Sequence, residues 1–110
     1  MGSIMRIVFM GTPDYVLPIL GGLLEAGHQV PAVYTRPDQR AGRGKKLVAP
    51  PVKVFAEARA IPIYQPLSLG NRKVIQELGD IAPEAIVVAA YGRILPTSIL
   101  GIPPLGVLNI

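Results

Sequence analysis

The chain has 110 residues, with 12 Gly, 12 Pro, no Cys and one His, and half of its residues are hydrophobic. That fits one domain with one core, and it excludes disorder, a disulfide scaffold, Cys-ligated zinc, thiol catalysis and a His-rich metal cage. The net charge of +4 is unevenly placed: residues 36–53 hold six bases and one acid, the rest of the chain five bases and six acids, which points to a polyanion contact at one place.

Met5 to Met10, closed by Gly11, is mostly apolar and reads as a buried parallel strand. Thr12-Pro13-Asp14 then predicts a helix start, with Thr12 as N-cap, Pro13 at the first helical position and Asp14 at the positive end of the dipole. Val16, Leu17, Ile19, Leu20, Leu23 and Leu24 recur at helical spacing, and Gly27 ends the helix. Pro18 and Gly21-Gly22 make that helix intrinsically poor, so packing on a sheet must hold it. His28 to Thr35 predicts a second strand, followed by a basic segment without periodicity and a helix from about Val52 to Ala60. Pro62 to Tyr64 is a short third strand. Asn71 to Leu78 is a third helix with Asn71 as cap. Ala85 to Ala90 is a second all-apolar strand, Tyr91 to Pro96 a loop, and Val107 to Ile110 a fifth strand.

Alternating strands and helices with right-handed crossovers predict an α/β fold, a Rossmann-like doubly wound parallel sheet. The two most apolar strands belong in its middle, which gives the order 3-2-1-4-5 and a reversal between strands one and four. Ligands bind such sheets at the carboxyl ends of the strands beside that switch point. Gly11-Thr12-Pro13, Tyr91-Gly92-Arg93 and Asn109 converge there.

Two phosphate-binding patterns fail. The turn after strand one lacks the second and third glycines of the dinucleotide fingerprint, and Gly42-Arg43-Gly44-Lys45-Lys46 lacks the first glycine and the Ser or Thr of a phosphate loop. Arg36 to Leu47 is too long for an ordinary connection of ~2–6 residues. It is either a solvated charged loop or a grip on a phosphate backbone, with Arg43, Lys45 and Lys46 neutralising phosphates while Gly42 and Gly44 let the backbone bend close. No aromatic residue is interleaved, so base stacking is not expected there. His28 lies far from the switch point. Asp14 reads as a dipole partner, Arg93 as a loop-ordering residue, and Tyr15 as a core edge or a pocket wall. Asn109, among apolar strand formers, is a strand-end turn former or a donor to a developing oxyanion.

Five segments taken together resemble the methionyl-tRNA formyltransferases. They are Met5 to Tyr15, Tyr34-Thr35-Arg36-Pro37-Asp38, Ala41-Gly42-Arg43-Gly44-Lys45-Lys46-Leu47, Pro51-Val52-Lys53 and Ala89 to Pro96, in order and with family spacing over Met5 to Ile110. The basic Ala41–Leu47 motif separates this family from other folate-dependent formyltransferases of the same fold. The resemblance implies formyl transfer from 10-formyltetrahydrofolate, without a metal, to the methionyl amine of initiator tRNA in the cytoplasm. It implies that residues 5–110 are the amino-terminal part of the catalytic domain. Asn109 matches the Asn of the family's Asn-x-His motif, whose His and later Asp lie beyond Ile110, so the chain by itself is expected to be inactive.

The resemblance further implies that Tyr91, Gly92, Arg93, Ile94 and Leu95 line a pterin pocket. Gly11, Thr12 and Tyr15 would stand at the substrate pocket, Tyr15 replacing the usual Phe. Arg36, Arg40, Arg43, Lys45 and Lys46 would reach the tRNA. A monomeric full-length enzyme is expected, with self-association of this chain through its last strand. Another folate-dependent formyltransferase and a non-enzymatic RNA-binding module are the rival readings. No apolar run reaches the ~18 residues of a membrane span, the start lacks a secretory-signal pattern, and Gly2-Ser3 reads as a cloning scar before a start at Met5.

Overall fold

A computed structural model describes residues 3–110; Gly2, half of the scar reading, lies outside the described residues. Strand β1 (Ile7–Gly11) is buried along its whole length, as its apolar run requires. It pairs in parallel with β2 (Val33–Tyr34) on one side and with β6 (Ala85–Ala89) on the other. Strand β5 (Ile63–Tyr64) lies outside β2, and β7 (Val107–Asn109) outside β6. The order β5-β2-β1-β6-β7 is the expected 3-2-1-4-5, with the two most apolar strands at the centre. Strands β3 (Gln39–Ala41) and β4 (Lys46–Val48) form a separate two-stranded sheet.

Side chains alternate across the sheet with period two. Ile7 and Phe9 pack beneath Val16 and Leu20, near and in α1 (Leu17–Glu25), and Val52 and Ala56 of α2 (Pro51–Ala58). Val8 and Met10 face Val74 and Leu78 of α3 (Arg72–Ile81) and Ile99 of α4 (Thr97–Leu100). Helices therefore cover both faces, and each large side chain fully buried there contributes about 1.5–3 kcal/mol of hydrophobic stabilisation. No helix among the described residues is long and apolar enough to cross a membrane.

Two expected helix ends form as read. The Asn71 Oδ1 accepts from the Val74 amide at 3.0 Å and caps α3. Gly27, at φ +88°, closes α1: its amide donates to the Leu24 carbonyl at 3.0 Å and the His28 amide to the Leu23 carbonyl at 3.2 Å, the pairing that satisfies the last orphan carbonyls of a helix.

Three expectations are corrected and one element is new. Thr12 is not an N-cap: the chain enters a 3-10 turn at Asp14–Val16 after Pro13, with no side-chain cap bond, and α1 proper begins at Leu17. Pro18 thus falls in the first helical turn, where its missing N–H costs nothing. The second strand is confined to Val33–Tyr34, because Pro31 cannot donate to a ladder and leaves Gln29 only an isolated bridge to Arg6. The basic segment is not an irregular loop but an antiparallel hairpin of β3 (Gln39–Ala41) and β4 (Lys46–Val48). Its strands are exposed on both faces, so no apolar alternation marks them. The new element is the four-residue helix α4, too short to show a period in the sequence.

Candidate functional site

The β1–β6 ladder runs to its last pair, Gly11 opposite Ala89. A Cβ at Gly11 would stand 2.7 Å from the Ala89 carbonyl oxygen and 2.7 Å from Cε2 of Phe9. A glycine is thus required for the two central strands to close at the switch point. The next residue joins three chain segments. The Thr12 hydroxyl donates to the Tyr91 carbonyl at 2.9 Å and accepts from the Arg36 amide at 3.4 Å. It thereby ties the exit of β1 to the exits of β6 and β2.

Beyond β6 the chain turns sharply through Ala90 at φ 49° and Gly92 at φ 90°. The Arg36 guanidinium closes over this turn, Nη1 donating to the Gly92 carbonyl at 3.1 Å, and a Cβ at Gly92 would stand 2.7 Å from that nitrogen. The Arg93 Nη1 donates to the Leu67 carbonyl, which fits the loop-ordering reading. Tyr91 buries its ring in the α3–α4 core, and its hydroxyl has no hydrogen-bond partner among the described residues. Burial pushes that phenol pKa up, against the lowering influence of Arg93 and Arg36. Leu95 is half-buried against the same core, whereas Ile94 is 94% exposed.

These segments form one wall of a cavity of about 610 Å³, a volume suited to a small-molecule moiety. Thr12, Pro13 and Asp14 line it from β1, Arg36 and Pro37 from β2, and Ala90 to Gly92 from β6. Gln39, Arg40, Ala41 and Val48 of the hairpin, with Ala49, Pro50 and Pro51 at its root, form the opposite wall. A second depression of about 450 Å³ lies between Arg36, the 67–70 segment and the 92–96 loop. Arg36 borders both.

Of the other candidate residues, Arg40 alone lines the larger cavity. Gly11 is buried in the strand. Tyr15 is 72% exposed, so it is not a core edge, and it lines neither cavity. Asn109 is exposed in β7 opposite Val88, and register puts it on the sheet face shared by Val88 and Val107. Arg40, Arg43, Lys45 and Lys46 are all exposed on the hairpin. Its turn is shaped by Gly42 at φ 75° and Lys45 at φ 48°, and Arg40 Nη1 donates to the Lys45 carbonyl at 2.8 Å. His28 accepts the Met5 amide at 3.0 Å at the opposite end of the sheet, as expected. Among the described residues, no three His, Cys, Asp or Glu side chains are grouped to hold a metal ion.

Sequence reasoning missed the cavity's proline wall of Pro37, Pro50 and Pro51 and the left-handed Ala90. The signal available for the first was the placing of prolines on either side of the basic segment, which marks the two roots of a projecting arm. For Ala90 no signal existed, since alanine does not announce a positive φ.

A family model described as formyl transferase matches residues 5–110. The methionyl-tRNA formyltransferase of Desulforamulus reducens is 51% identical over 106 residues, covering 96% of this chain and 33% of that protein. The enzyme of the same name from Marinobacter nauticus is 52% identical over 106 residues, covering 96% of this chain and 34% of that protein. That from Geobacter sulfurreducens is 49% identical, covering 96% and 33%. The chain thus spans about a third of the length of the curated relatives it matches. With 106 matched residues folding into a doubly wound sheet that opens a crevice at its switch point, the chain belongs to the formyl transferase family.

Proposed function

We propose that residues 5–110 supply the amino-terminal part of a methionyl-tRNA formyltransferase catalytic domain. It would move a formyl group from 10-formyltetrahydrofolate, without a metal, to the methionyl amine of initiator tRNA. The observation that carries this reading is the identity of about half of the 106 matched residues to enzymes of that name. In this reading Asn109 donates its amide N–H to the oxyanion that develops as the amine adds to the formyl carbon. Tyr91, Gly92, Arg93, Ile94 and Leu95 hold the pterin, chiefly through backbone groups that the Arg36 and Arg93 contacts keep in place. Thr12 shapes the crevice from its floor, Gly11 permits that floor to close, and Tyr15, exposed beside the lining residue Asp14, meets the methionyl end. Arg36, Arg40, Arg43, Lys45 and Lys46 neutralise phosphates of the tRNA acceptor arm. The reaction places the protein in cytoplasmic translation initiation. The full-length protein acts as a monomer, whereas the exposed β7 edge favours self-association of this chain.

The test is single-turnover formylation of charged initiator tRNA by the full-length protein. Asn109→Ala should lower the rate by about 10²–10³-fold, the loss typical of an oxyanion donor. Replacing Arg43 and Lys45 by Ala should flatten the slope of log affinity against log salt by about 1.4–1.8, because two fewer phosphates are neutralised. Formylation of a small-molecule amine in preference to Met-tRNA would favour another formyltransferase of the same fold. Binding of RNA with no formyl transfer would favour the non-enzymatic module.

A further inference from the structure

The β3–β4 hairpin has a property that its sequence conceals. Every residue from Gln39 to Val48 is exposed, so no hairpin side chain is anchored in the core, and a two-stranded hairpin alone is marginally stable. Its pose over the 610 Å³ cavity must therefore be set at its roots. At the β4 root the chain runs through Ala49, Pro50 and Pro51 directly into α2, and the Val52 amide donates to the Thr12 carbonyl at 3.3 Å. At the β3 root the fastening is made by side chains. The Asp38 carboxylate accepts Lys53 Nζ of α2 at 3.0 and 3.1 Å, and Gln65 Nε2, just beyond β5, at 2.7 Å. The same Gln65 nitrogen donates to the Arg36 carbonyl at 3.0 Å.

We propose that Asp38 is a positioning residue: together with Lys53 and Gln65 it latches the root of the basic hairpin to the body and fixes the hairpin's pose above the crevice. The latch also sorts the charge. Asp38 is the one acid among residues 36–53, and it is consumed by Lys53, the base nearest the body. Arg40, Arg43, Lys45 and Lys46 at the tip are left without a carboxylate partner among the described residues. The hairpin therefore offers an undivided positive surface held in one orientation. Charge-assisted hydrogen bonds with two donors on one carboxylate are the contacts best suited to this, because they are directional and short. The consequence for RNA rests on the proposed function, whereas the latch itself does not.

Amide hydrogen exchange on the hairpin of the full-length protein tests the latch without reference to activity. Asp38→Ala and Lys53→Met should each accelerate exchange of the Ala41–Lys46 ladder by about tenfold, the loss expected for charge-assisted bonds. Amides of β1 and β6 should keep their protection. The double variant should be no worse than Asp38→Ala, since both remove one interaction. Exchange unchanged on the hairpin, or raised equally in β1 and β6, would overturn the proposal. In formylation assays Asp38→Ala should raise KM for Met-tRNA about fivefold or more with kcat within about twofold, the split of a lost binding contact, and the exchanged pair Asp38→Lys with Lys53→Asp should recover part of it. A loosened hairpin with unaltered KM would overturn its role in positioning. A full-length parent protein that formylates nothing would overturn the proposed function, while hydrogen exchange would still decide the latch.

Discussion

Replacing Thr12 by Val removes one hydroxyl and almost nothing else, because the two side chains have nearly the same volume. In the native structure that hydroxyl donates to the Tyr91 carbonyl at 2.9 Å and accepts from the Arg36 amide at 3.4 Å. The first is a well-formed bond contributing ~1 kcal/mol net, and the second is long and contributes a few tenths. Both partners are half-buried at the floor of the crevice and are left short of one bond, which brings the loss to about 1.5 kcal/mol. An unfolding entropy of ~2.1 cal/mol/K per residue gives ~0.23 kcal/mol/K for this chain, so Tm should fall by about 6 °C. Thr12→Ser keeps the hydroxyl and should recover most of the loss. Thermal melting by circular dichroism measures both, and hydrogen exchange at the Arg36 amide reports the contact directly. If Thr12→Val melts within about 1 °C of the parent, or if Thr12→Ser is as damaged as Thr12→Val, the hydroxyl is not the clasp that joins β1, β2 and β6.

Gly11→Ala should destabilise by about 1–3 kcal/mol, the usual range for overpacking, because the new Cβ meets the Ala89 carbonyl and the Phe9 ring at 2.7 Å; melting checks this, and a neutral result would mean that the β1–β6 seam can open without loss. The pH dependence turns on Tyr34, fully buried, stacked on Tyr64 at 5.0 Å and donating to Glu77 at 3.4 Å. Burial first, and then the Glu77 charge, hold its phenol above the ordinary value of 10.0. The folded state keeps the proton that the unfolded state releases above pH 10, so this contribution is fully present below pH 10 and is lost as pH rises beyond it. Tyr34→Phe should change Tm little at pH 7 and should reduce its fall between about pH 9.5 and 11; an unaltered alkaline slope would refute the assignment.

Local rules reach far into this molecule. Unbroken apolar runs such as Ile7 to Met10 and Ala85 to Ala89 mean burial on both faces, and two such runs dictate which strands are central. Crossover handedness then leaves few sheet orders, and the switch point follows before any side chain is placed. Asn71 and Gly27 are legible for the same reason: a helix end needs its cap within four residues, so the signal lies next to what it signals. The folded structure alone decided whatever depends on residues distant in sequence. Thr12 has the local credentials of an N-cap, yet its hydroxyl serves a carbonyl 79 positions away, because a strand end at the switch point lies nearer to the neighbouring strand end than to its own next turn. Asp38 is one acid in a basic stretch until α2 and β5 bring Lys53 and Gln65 to it. The hairpin carries no hydrophobic alternation, since neither of its faces is buried, and pairing between two exposed strands is written in backbone hydrogen bonds rather than in residue types.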